Sequence, residues 1–108
     1  MTDKEAIFAP LLAVGDFDKT VHEPARLMLL SILSVLDQAD FVFLHHLTGL
    51  TRGNLSTHMR RLEEDGYVRV EKEFVDRRPV TGLSITPKGR NALKDYRDKM
   101  RQFLDELE

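Results

Sequence analysis

The spacing of apolar residues changes character several times along the chain, and each change marks an element. From Pro24, a residue suited to a first helical turn, "ARLMLLSILSVL" confines its polar positions Arg26, Ser31, Ser34, Asp37 and Gln38 to a limited arc. A helix that is apolar over the remainder of its surface touches more than its own small core. A second helix is predicted from near Phe41 to Thr48, with Asp40 as cap and Gly49 as stop. A third spans about 51–65, places Leu55, Met59 and Leu62 on one side, and ends at Gly66. Beyond Gly66 the period falls to two. "YVRVEKEF" alternates apolar and charged residues, "VDRRP" is a polar turn, and "VTGLSI" is a second run of strand formers. Together they predict a hairpin over about 68–85 with a basic tip.

Thr86 and Pro87 form a cap and first-turn pair for a last helix. Along it Leu93, Tyr96, Met100, Phe103 and Leu107 recur at spacings of three and four, a heptad-like seam. Such a seam fits a second copy of the chain, or the chain's own N-terminal helices. Ahead of Pro24, residues 6–14 have the pattern of a short helix that Pro10 weakens, and residues 15–22 read as a loop. The expected fold is α+β, mainly α. A segment 1–23 contributes to dimerisation, a core spans 24–86, and a C-terminal helix spans 87–108.

Composition narrows the class. A chain of 108 residues with 42% apolar content supports one core. With no cysteine, disulfides and thiolate metal sites are excluded. The start "MTDKEAIFAPLL" lacks the basic head and long apolar run of a signal peptide, and no run reaches membrane-span length. A soluble, cytoplasmic protein without membrane contact is expected.

The net charge of −2 announces no partner, but its distribution does. Residues 51–90 hold nine Lys/Arg against six Asp/Glu, a net +3; the rest holds seven against twelve, a net −5. A basic patch on an acidic body fits a locally docking phosphate binder. The third helix supplies the chemistry. Opposite its apolar side stand Gly53, Thr57, Arg60 and Glu64, flanked by Asn54 and Arg61. Near a helix start a missing side chain lets the backbone approach another surface closely. Asn can pair with the adenine edge, Arg can grip guanine or phosphate, and free N–H groups at the helix start favour phosphate. A helix, a tight turn at Gly49 and this helix make a helix-turn-helix, and Arg77 and Arg78 at the hairpin tip could reach the flanking backbone or a minor groove.

Taken together, "GNLSTHMRRLEEDGYV", the "RRP" tip and "ITPKGR" at the opening of the last helix resemble winged helix-turn-helix transcriptional regulators of the MarR/ArsR-like class, especially compact single-domain members. The resemblance covers about residues 24–93. It implies a winged helix with a two-stranded hairpin wing and a C-terminal dimerisation helix. It places Arg52, Asn54, Ser56, Thr57 and Arg61 on recognition-helix positions and Arg77 and Arg78 on the wing. It also implies homodimers on palindromic duplex DNA. Such regulators often respond to a small molecule or a modification, so an unidentified small-molecule effector is an open partner, although no added ligand domain or thiol is visible.

His45 and His46 are neighbours that diverge by about 100° on a helix, so structural or surface roles are expected rather than a shared metal. His58, beside the core side of the third helix, is expected to be partly buried. No phosphate-binding glycine loop, metal-ligand set or nucleophile–base pair is present, so neither an enzyme nor a cofactor is expected. The contrasting reading is a winged helix that binds proteins and not DNA, motivated by the acidic balance outside 51–90 and the broadly apolar first helix.

Overall fold

The computed structural model describes residues 2–107. Helix α1 (Asp3–Leu12) is followed by a 3-10 turn (Ala13–Asp16), helix α2 (Pro24–Leu36), strand β1 (Gln38–Asp40), and helices α3 (Phe41–Thr48) and α4 (Arg52–Glu64). Strands β2 (Val68–Val75) and β3 (Arg78–Ile85) then form a hairpin, and helix α5 (Pro87–Asp105) closes the described chain.

Each helix starts on a side-chain cap. Thr2, Glu23, Asp40, Thr51 and Thr86 accept hydrogen bonds from the backbone N–H of Glu5, Arg26, Phe43, Asn54 and Gly89. The Thr2 cap, with Asp3 and Glu5 in the first turn, starts α1 at Asp3, ahead of the expected Ala6, and carries it past Pro10. Helix α4 ends in two nested hydrogen bonds. Gly66 N–H donates to Glu63 C=O at 2.9 Å, and Tyr67 N–H donates to Leu62 C=O at 2.9 Å. Gly66 has φ +77°, the left-handed conformation that such an ending needs.

Leu29, Leu30 and Leu33 of α2, Leu44 of α3, and Leu55 and Leu62 of α4 are fully buried, and Leu83 of β3 closes the core from the sheet side. One placement adds to the sequence reading and one corrects it. The segment read as a loop holds Phe17 and Val21 inside this core, together with the buried Thr20. Tyr96, expected on a dimer seam, is 8% exposed and packs edge-on to Phe17 at a centroid distance of 5.5 Å. Its hydroxyl lies 2.7 Å from His22 Nδ1. Leu93, Met100 and Phe103 also pack partly against the chain's own core, whereas Leu107 is exposed. The seam of α5 therefore serves the single chain along much of its length.

The sheet is three-stranded and antiparallel, in the order β1-β3-β2, so the hairpin has a third partner that the sequence did not announce. Gln38 pairs with Ser84 and Asp40 with Gly82. Asp37, at φ +69°, turns the chain out of α2 into β1. Its carbonyl accepts from Ile85 N–H at 3.1 Å, and its carboxylate accepts from Arg90. Both bonds tie the end of α2 to the base of the hairpin and the start of α5.

Gly89 sits in the first turn of α5, against Tyr67 in the segment that joins α4 to β2. A Cβ on Gly89 would collide with the carbonyl oxygen of Tyr67 and lie 3.1 Å from Ile85 Cγ1. The radius of gyration is 16.8 Å, against ~13 Å for a compact chain of this length. Helix α1 accounts for part of the difference: it contains no buried residue.

Candidate nucleic-acid interface

The turn between α3 and α4 is held from within. Gly49 adopts φ +73° and its N–H donates to His45 C=O at 3.1 Å. His45 Nδ1 lies 2.7 Å from the Leu50 carbonyl, and Leu50 N–H donates to Thr48 Oγ1 at 3.2 Å. His45 is thus structural. Its ring stands 5.1 Å from that of His46 without forming a metal set, and no group of potential ligands is found among the described residues.

This turn delivers α4 with Leu55 and Leu62 inward and Met59 half-buried, as its period predicts. Arg52, Gly53, Asn54, Thr57, Arg60 and Arg61 are exposed, and Ser56 is half-buried at the edge. Thr51 Oγ1 takes the N–H of Asn54 at 3.1 Å, leaving the Asn54 side chain free to face outward. Thr57 Oγ1 donates to the Gly53 carbonyl at 3.0 Å, which fixes its side-chain rotamer against the helix backbone. A Cβ on Gly53 would meet nothing within 4 Å, so no packing demand accounts for the glycine. Arg61 is partly engaged: its Nε donates to Asp65 at 3.4 Å, one turn on. Arg52, Arg60, Arg77 and Arg78 form no ion pair among the described residues.

The rear of α4 is braced. Thr20 donates to the Asp65 carboxylate, and this bond, above all, holds Asp65 below the usual carboxylate range. His58 is half-buried, 3.2 Å from Arg26 Nη1 and 3.6 Å from Glu23, so it joins α4 to the start of α2 rather than facing outward. Tyr67 donates to Asp18, and burial together with that carboxylate pushes its phenol up to about 12. It therefore stays neutral and continues to donate across the ordinary pH range.

The hairpin tip is a two-residue loop, Asp76 and Arg77, with φ +51° and +67°. Two successive positive φ values match the turn type that suits the twist of a tight hairpin, for which Asn-Gly is the favoured pair. Arginine there is conformationally costly. Arg78 opens β3 directly beyond it, so both expected wing cations sit at the extremity. The sequence reading passed over Phe74, which is 79% exposed beside this tip. The signal was present in the alternation: an apolar residue at the far end of a strand that has no core above it.

The comparisons with known proteins agree with this geometry. A family model described as a winged helix DNA-binding domain matches residues 25–104. An uncharacterised protein of Methanocaldococcus jannaschii is 34% identical over 90 residues, covering 83% of this chain and 98% of that one. The solved structure of a transcriptional regulator homologue from Pyrococcus horikoshii is similar with a TM-score of 0.78 at 31% identity, covering 82% of this chain and 88% of that one. A MarR-family transcriptional regulator from Silicibacter pomeroyi superposes with a TM-score of 0.63 at 25% identity, covering 96% and 68%. Fold, family model and relatives converge: the chain belongs to the winged helix DNA-binding domain family.

Proposed function

We propose that the protein is a homodimeric transcriptional regulator that reads duplex DNA with α4 in the major groove and the β2–β3 wing on the flanking backbone or minor groove. One observation carries the reading. The exposed edge of α4 combines a side-chain-free position at Gly53, a free amide at Asn54 and unpaired guanidinium groups at Arg52 and Arg60. A merely solvated helix would carry paired Lys and Glu there. Base edges are read by Asn54, Ser56 and Thr57, with Arg61 near the helix end. Phosphates are held by Arg52, Arg60, Arg77 and Arg78.

The dimer has separate support. The accessible surface is 7576 Å², against about 6,200 Å² for a compact monomer of this mass. The excess, roughly 1,400 Å², exceeds what one partner contributes to a standard interface. Ile7, Phe8 and Leu12 of α1 and Leu104 and Leu107 at the other end are large apolar side chains left exposed. A ten-residue helix with no buried residue is marginal by itself, so α1 needs a covering surface. On this reading α1 and the end of α5, including Leu107, form the interface, and Tyr96 lies beneath it as support.

Selection of bound sequences from random duplexes tests the proposal, with recovery of a palindrome as the expected result. Asn54→Ala then lowers discrimination against random DNA, while Arg77→Ala/Arg78→Ala weakens operator and random DNA alike and flattens the salt dependence. If no duplex shifts even at low salt, the winged helix is a protein-binding module instead.

A further inference from the structure

The wing sorts its chemistry by face. In the β2–β3 register Val68 faces Ile85, Val70 faces Leu83, Lys72 faces Thr81 and Phe74 faces Pro79. Side chains alternate along a strand, so these four pairs share one face. Its inner half, Val68 and Leu83, is buried in the core. Its outer half runs beyond the core and carries Lys72, Thr81, Phe74 and Pro79, with no carboxylate. The opposite face carries Glu71, Glu73, Val75 and Arg78, with Arg69 paired to Glu71 at 3.6 Å. Asp76 lies in the turn itself.

We infer that Phe74 is an apolar wedge that enters a base step of the bound duplex and bends it. The inference rests on the proposed DNA-binding reading and deepens it. Phe74 is 79% exposed, and its cross-strand neighbour is a proline that stiffens the ribbon beneath the ring. Lys72 shares its face and Arg77 stands in the turn just beyond it, while Arg78, opposite Val75, belongs to the other face. An exposed aromatic ring with Lys72 on its own face, and with the carboxylates of Glu71 and Glu73 turned to the other side, is complementary to a base stack between phosphates. Proteins that insert Phe or Leu between base pairs through the minor groove unstack the step and kink the helix axis. Pyrimidine–purine steps yield most readily, so the wedge contributes sequence preference at positions that α4 never touches.

The test compares the full chain with Phe74→Ala, Phe74→Leu and Arg77→Ala on a selected operator. Bend is read by energy transfer between dyes at the duplex ends, and unstacking by a fluorescent adenine analogue at the contacted step. Because Phe74 is exposed, matched thermal unfolding midpoints are expected for all four proteins. The expected result is a bent duplex with the wild-type chain and with Phe74→Leu. At saturating protein, Phe74→Ala should leave the duplex nearly straight and bind about tenfold more weakly, within the value of one base–aromatic contact. Arg77→Ala should bind more weakly yet bend fully at saturation. An operator equally bent, or equally straight, with wild type and Phe74→Ala overturns the wedge and leaves DNA binding standing. Loss of the dimer in Phe74→Ala would assign the ring to a contact between copies and also overturn it. Failure of the wild-type chain to bind any duplex overturns the wedge and the underlying reading together.

Discussion

The hydroxyl of Thr20, buried in the segment before α2, donates to the carboxylate of Asp65, which caps the end of α4. This bond fixes α4 from behind. Thr20→Val, nearly equal in volume, should cost about 1–2 kcal/mol at neutral pH, since a hydrogen bond to a charged group is lost from a partly solvated site. Asp65 has a depressed pKa in the folded chain. Its contribution is therefore complete above the unfolded value, near ~4, and is lost as pH falls through the folded value. Urea unfolding at neutral and at acidic pH checks this: the gap between wild type and Thr20→Val should shrink in acid.

Two glycines should respond in opposite ways to alanine. Gly89→Ala drives a methyl into the Tyr67 carbonyl and should destabilise by ~3 kcal/mol, the upper range for overpacking. Gly53→Ala meets open space and improves helix propensity, so it should stabilise by up to ~1 kcal/mol. The same methyl stands on the edge proposed to face DNA and should weaken operator binding. Thermal melts and DNA titrations of both variants read the two effects separately.

Arg77 occupies a left-handed conformation at φ +67°. Arg77→Gly should relieve about 1 kcal/mol of strain and raise the unfolding midpoint. It should also reduce the salt slope of DNA binding by about one contact. A variant that is more stable and binds less well would identify this strain as retained for charge placement.

Ile7→Glu/Phe8→Glu places two charges on the exposed side of α1. Analytical ultracentrifugation at micromolar concentration should give a dimer for the native chain and a monomer for this variant. Circular dichroism should show helix loss confined to about α1's length, with the core transition preserved.

Much of the fold was legible because its signals are local. Asp40 and Thr86 cap where their side chains predict, and Gly49 and Gly66 stop where a positive φ is required. The alternation after Gly66 gave the hairpin. What stayed hidden was non-local. Strand β1 has three residues, too few to show a period, and exists through its pairing with β3. Phe17 and Val21 enter the core from an irregular segment whose spacing carries no signature. Tyr96 follows a heptad spacing, but that spacing cannot distinguish a partner's surface from Phe17 and His22 of the same chain. At the candidate site, helical phase was sufficient to tell the exposed edge of α4 from its buried side. The partial pairing of Arg61 with Asp65 depends on geometry that no pattern encodes.

In the order β1-β3-β2, the second strand has a neighbour on one side only, so its outer rim leaves backbone donors and acceptors open. Arg69, Glu71, Lys72 and Glu73 stand consecutively enough along that rim to deter another ribbon from zipping onto it. The hairpin can therefore project from the body without seeding fibrils.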